Sequence, residues 1–256
     1  MRVAALSHLL SPSDPSPVEV INSSSNSPVL LLCEHAGRAI PASLSGLGIS
    51  DEVLNSHRGW DIGAEEVARH LAERLDATLV LQRYSRLVID ANRPPVDASS
   101  IPEVSDGEII LGNRDLSTAQ RNARIDEIFA PMDSAVRQMF RAKERRYAFS
   151  IHSFTRVLGG DVRPWHAGFL SRTRRDFARR LMDEISTHAP DLVLAVNQPY
   201  QIDDETDWFI PVHVEPRNIP HCLIEIGNDQ ISNVNGVTMW ADFLADAILA
   251  LMETEQ

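Results

Sequence analysis

"PVLLLCEH", residues 28–35, is an unbroken apolar run that ends on an acid and a histidine. A strand with one wet face alternates apolar and polar side chains, whereas successive apolar residues mark a strand covered on both sides, as in the middle of a parallel sheet. Leaving such a strand through Glu34 and His35 is costly unless the two polar groups are used or hydrogen-bonded.

Moving outward from it, "ATLVLQ" (77–82), "RLVIDAN" (86–92), "FSIHSF" (149–154), "HAGFLS" (166–171), "LVLAVNQP" (192–199) and "HCLIEIG" (221–227) read as further strands, with helical periodicity between them. This alternation predicts an α/β fold, a sheet with helices on both faces. In "DIGAEEVARHLAERL" (61–75) Val67, Ala68, Leu71 and Leu75 share one stripe, and Asp61 stands where an N-cap would. The longest helix, 117 to about 146, opens with the capping box "STAQ" and is bent by Pro131. A last helix sets Trp240, Phe243, Leu244, Ala247, Ile248 and Leu251 at the same spacing. Residues 1–28 are rich in Ser, Pro and Asn and form a lead-in, in which "VEVI" (18–21) can add an edge strand. Residues 93–115 are a long loop of the kind that often carries function. No repeat, charge block or linker divides the rest, so 29–256 is read as a single domain.

Composition narrows the partners. With 43% hydrophobic residues the 256-residue chain can bury an ordinary core. Its 24 basic and 36 acidic residues give a net charge of −12, which repels a phosphate backbone, so nucleic acid is excluded as a partner. No apolar run approaches the roughly 18 residues of a membrane helix, and the start lacks a secretory pattern; no membrane partner and a cytoplasmic location are the expectation. Cys33 and Cys222 lie in apolar strand runs and read as core residues.

His35 and His152 both end predicted strands, and the carboxyl ends of parallel strands converge on one crevice. With Asp61 they make a two-histidine, one-carboxylate set that leaves a fourth position open for water, as catalytic zinc requires. Such an ion lowers the pKa of its water to about 7 and polarises a carbonyl. The alternative is that the histidines are hydrogen-bonded scaffold, since no H-E-x-x-H or C-x-x-C spacing supports them. Glu225 interrupts an otherwise apolar strand and reads either as an arginine's partner or as a general base that moves a proton from water to a leaving nitrogen. "SRLVIDANRP" (85–94) offers Arg86, Asn92 and Arg93 to a substrate carboxylate; as a strand it would turn the two arginines to opposite sides. Asn197 is a turn former or a donor, and His213 a candidate oxyanion stabiliser. Nucleotide-binding glycine patterns and a G-x-S-x-G elbow are absent.

"CEHAGRAIP", "HRGWDIGA", "SRLVIDANRP", "SIHSF", "VNQPY" and "LIEIGNDQI", in this order, resemble the N-formylglutamate amidohydrolase family. The resemblance implies a mixed sheet flanked by helices, similar to zinc carboxypeptidases and zinc-dependent murein amidases. It implies that His35, Asp61 and His152 hold one zinc ion, that Glu225 is the catalytic carboxylate, and that Arg86, Asn92 and Arg93 serve the substrate. That substrate is a small anionic N-acyl amino acid, such as N-formyl-L-glutamate. Three positions depart from the family pattern: Glu34 replaces a proline, Ala36 a serine and Gly227 an arginine. Deacylation of another N-acyl amino acid, trimming of a peptidoglycan peptide, or metal-free binding of an acidic metabolite are the rival readings.

Overall fold

The computed structural model describes residues 8–254. Seven strands form one sheet: β1 (Val18–Ile21), β2 (Val29–Cys33), β3 (Thr78–Gln82), β4 (Tyr147–Phe154), β5 (Ala167–Leu170), β6 (Leu194–Val196) and β7 (His221–Gly227). Their spatial order is β1-β3-β2-β4-β7-β5-β6. The centre, β3-β2-β4-β7, is parallel, while β1 runs antiparallel to β3 and β5 antiparallel to β7, so the sheet is mixed. β2, β4 and β7 are buried at every position, as their unbroken apolar runs require.

The period of two divides these strands between two cores. Val29, Leu31 and Cys33, with Phe149, Ile151, Ile224 and Ile226, pack beneath the helices α1 (Ala64–Arg74), α3 (Arg175–His188) and α4 (Val234–Thr254). Leu30, Leu32, Ala148 and Leu223 point the other way, onto Met132, Val136 and Met139 of the long helix α2, which covers 118–142. Ser150, His152 and Glu225 share the parity of Ala148 and Leu223, so the polar residues of the strand ends face the α2 side.

α2 begins with the capping box of Ser117 and Gln120. It widens into a π turn at Ile125–Phe129, where the Ala130 N–H reaches back to the Ile125 carbonyl. Pro131 follows immediately; lacking an N–H, it cannot continue the regular ladder, and the wider turn absorbs the break.

Two expectations are corrected. "RLVIDAN" is a series of turns, not a strand. Its Leu87, Val88 and Ile89 are buried in a third core with Leu47, Ile101, Ile110 and Phe129. The carbonyls of Leu87 and Val88 accept hydrogen bonds from Asn113 Nδ2 (2.8 Å) and Arg124 Nη1 (2.9 Å), so side chains replace a neighbouring strand. Asp61 is not the N-cap of α1; Gly63, at φ 80°, takes that place and frees the carboxylate. α4, although interrupted by Asp242 and Asp246, passes for a membrane-crossing helix by length and composition alone, an 18-residue window of it having a mean hydropathy of 1.3. It buries Trp240, Leu244 and Ile248 in the core that it shares with α1 and α3.

Candidate metal centre

β2 and β4 lie side by side, with Leu32 opposite Ser150, so chain leaving β2 at Cys33 brings His35 beside His152. The two imidazoles meet edge to face with centroids 4.9 Å apart. Asp61 reaches the same point because its N–H donates to the His35 carbonyl at 3.0 Å, pinning the turn before α1 to the exit of β2. Its Oδ2 accepts from His152 Nδ1 at 3.0 Å, from His35 Nδ1 at 3.3 Å and from the Ser153 N–H at 3.2 Å. One donor atom from each of His35, Asp61 and His152 falls within 4.8 Å of the others, and all three residues are buried.

Each histidine is backed by a second carboxylate. His35 Nε2 donates to Asp90 Oδ1 at 2.7 Å, and His152 Nε2 donates to Glu34 Oε2 at 3.0 Å. Ser150 Oγ donates to the same Glu34 oxygen at 2.6 Å. Arg86 bridges Asp61 Oδ1 (3.2 Å) and Asp90 Oδ2 (2.9 Å), and Arg93 Nε approaches Asp90 Oδ2 at 3.4 Å. The two arginines, expected on opposite sides of a strand, thus converge on one carboxylate because their segment is turned. Asn92 donates to Asp207 Oδ1 at 3.1 Å and accepts from the Trp208 N–H at 3.3 Å, fastening the segment around 207 beside the site.

Glu225 sits opposite His152 in the parallel register of β7 and β4. It is 7% exposed, and its Oε2 has no hydrogen-bond partner among the described residues. Burial pushes its carboxyl up to about 7, against the pull of His152. For Asp61 burial acts in the same direction, but His35, the hydrogen bond from His152 and the Arg86 charge outweigh it and hold the carboxyl well below the usual range. For His152 burial disfavours the charge, yet Glu34 and Asp61 raise its pKa well above the ordinary value. His35 is raised also, Asp90 and Asp61 overcoming burial and Arg86.

The donor set fits a divalent cation. Glu34, Asp61, Asp90 and Glu225 supply four carboxylates against the two guanidinium groups of Arg86 and Arg93, and in the protein alone this surplus of acid favours a proton on each imidazole. A cation on the Nδ1 side would take that place while each Nε2–H kept its carboxylate, the usual backing of a metal-bound histidine. Glu34 and Asp90 escape the sequence reading in this role. Their only signal is an acid flanking His35 and an acid inside the apolar "LVID", and neither reveals which imidazole it serves.

The remaining candidates are engaged by other partners. His213 donates to Asp133 at 2.7 Å. Asn197 turns the chain at φ 56° and accepts from the Ser171 N–H at 2.9 Å, the turn-forming role. Cys33 is buried in the core, away from any nucleophilic use.

Among solved structures, a gene product from Agrobacterium tumefaciens is 36% identical with a TM-score of 0.90, over 97% of this chain and 100% of its own. N-formylglutamate amidohydrolase from Ralstonia eutropha is similar in fold, with 17% identity and a TM-score of 0.72 over 94% of this chain and 98% of its own. No curated protein matches in sequence. The N-formylglutamate amidohydrolase family matches residues 27–232, from the start of β2 to the threshold of α4, and thereby takes in every residue of the centre described above. The chain belongs to the N-formylglutamate amidohydrolase family.

Proposed function

We propose that the protein is a zinc-dependent amidohydrolase that cleaves an N-acyl amino acid such as N-formyl-L-glutamate to formate and the free amino acid. The convergence of His35, Asp61 and His152 within 4.8 Å, with Glu225 in register beside His152, carries this reading. A divalent ion held by the first three supplies Lewis-acid polarisation of a carbonyl and makes water more acidic. Glu225 accepts the proton of the attacking water and returns it to the amide nitrogen as the C–N bond breaks. Its unpaired oxygen and raised pKa suit a group that must both take and give a proton near neutrality.

Asp90 and Glu34 keep the imidazoles oriented through Nε2. On the substrate side stand Arg86, Asn92 and Arg93. The side chains of Arg86 and Arg93 are 29% and 30% exposed, so each arginine keeps access to an anion beside its ion pairs. The buried free thiols of Cys33 and Cys222 suit a reducing compartment such as the cytoplasm.

The test is turnover of N-formyl-L-glutamate, N-acetyl-L-glutamate and a peptidyl substrate by zinc-loaded and by chelated protein. Hydrolysis of the formyl compound that disappears on chelation and returns with zinc is expected. A zinc-loaded protein that cleaves none of the three would overturn the proposal.

A further inference from the structure

The arginines of the centre share their donors with carboxylates of the protein: Arg86 holds Asp61 and Asp90, Arg93 holds Asp90, and Arg156 holds Asp229 at 3.0 Å, so Arg86 and Arg93 have only part of their donors left for a substrate. Arg163 has no carboxylate partner among the described residues. Its Nη1 donates to the Tyr200 hydroxyl at 2.7 Å, and its guanidinium lies 5.0 Å from the centroid of the Tyr200 ring. Because the phenolic oxygen accepts from Arg163, its own proton is left to donate.

Two crossings of the chain bring this pair to the catalytic end of the sheet. β4 passes through His152 and ends at Phe154, and the short hairpin of Val157–Leu158 and Asp161–Val162 leads from there to Arg163. Arg156 fixes that return, since its Nε donates to the Arg163 carbonyl at 3.3 Å and its Nη2 to the Pro164 carbonyl at 3.1 Å. The stem of Arg156 can lie there only because Gly227 carries no side chain: a Cβ would come within 2.9 Å of Arg156 Cδ. On the other flank Gly168 of β5 is the antiparallel partner of Glu225, so the two share a face. A Cβ at Gly168 would overlap the Gln198 carbonyl, which means that the backbone two residues before Tyr200 crosses directly beside Glu225. Tyr200 is 42% exposed; partial burial and the charge of Glu225 raise its phenol, while Arg163 and Arg86 lower it.

We infer that Arg163 and Tyr200 form a carboxylate subsite at the rim of the metal centre, which grips one carboxylate of the N-acyl amino acid. The identity of that ligand rests on the proposed amidohydrolase reading; the anion chemistry does not. The guanidinium fork offers two parallel donors and Tyr200 a third. Gly227 serves the subsite indirectly, as the gap through which Arg156 sets the backbone of Arg163.

The experiment compares the parent with Arg163→Ala, Arg163→Lys and Tyr200→Phe on N-formyl-L-glutamate, its α-amide and its γ-amide (N-formyl-L-glutamine), and measures equilibrium binding of glutarate. Arg163→Ala is expected to lower kcat/KM on N-formyl-L-glutamate by about 10- to 100-fold, the range for hydrogen bonds to a charged group. The amide that removes the gripped carboxylate should be indifferent to the substitution, which identifies the carboxylate as α or γ. Arg163→Lys should recover part of the loss, Tyr200→Phe should cost several-fold, and glutarate affinity should fall in parallel. Equal losses on all three substrates would assign Arg163 to scaffolding and overturn the inference, as would unchanged glutarate binding or a parent that binds no glutarate. A parent that cleaves no formyl compound while its glutarate binding still depends on Arg163 would overturn the amidohydrolase reading and leave the subsite standing.

Discussion

At the scale of single residues, the centre is governed by which charge each carboxylate faces. Asp61 and Asp90 stay ionised because imidazole and guanidinium groups surround them, whereas Glu225, opposite His152 but without a hydrogen bond to its Oε2, is pushed up to about 7. A general base must be ionised to accept a proton, so activity is expected to fall as pH drops through the Glu225 pKa. A bound cation favours the ionised form, and the acid limb of kcat/KM should therefore lie at or below about 7. Glu225→Gln should keep its metal yet lose on the order of a hundredfold or more in kcat, and the acid limb with it. Parent-like turnover in Glu225→Gln would remove the residue from the chemistry. Asp90→Asn leaves His35 Nε2 without a charged acceptor and should weaken metal affinity by about 10- to 100-fold in a chelator competition, with the fold unchanged.

At the scale of elements, strand ends do the positioning. β2 and β4 deliver His35 and His152, β7 delivers Glu225, and the turn before α1 delivers Asp61. These strands are legible in the sequence, since burial on both faces leaves unbroken apolar runs, and so is the capping box that starts α2. Ser117→Ala should cost about 1 kcal/mol of unfolding free energy by chemical denaturation, because a helix donor loses its partner. "RLVIDAN" misleads for a physical reason: burial selects apolar side chains in a turn as it does in a strand. Nothing local in that segment shows that its carbonyls are met by Asn113 and Arg124, which come from 111–124. Asp61 misleads in a similar way. An acid before an amphipathic run reads as a cap, and only the hydrogen bonds to His35 and Ser153 reveal that its carboxylate turns elsewhere.

At the scale of the whole molecule, the centre is a junction of segments distant in the chain. Positions 34–35, 61, 90, 150–152 and 225 meet at one end of the sheet. The meeting of His35 with His152 follows from the α/β topology and is readable from two strand ends. Which outer carboxylate serves which imidazole depends on side-chain reach across neighbouring strands, and sequence order carries no trace of that. An ion held between three such segments ties them together only in the folded chain. Chelation should therefore lower the thermal midpoint, and zinc at about 100 times its Kd should add about 2.7 kcal/mol to stability. His35→Ala should abolish that zinc-dependent shift. An equal shift in His35→Ala would mean that zinc acts elsewhere on the protein.

The most direct test of the account is elemental analysis of untagged protein purified without chelator. About one divalent ion per chain is predicted for the parent and for Glu225→Gln, and none for His35→Ala or His152→Ala. A parent protein that carries no ion and takes none up from added zinc, or a His35→Ala protein that holds as much as the parent, would contradict it.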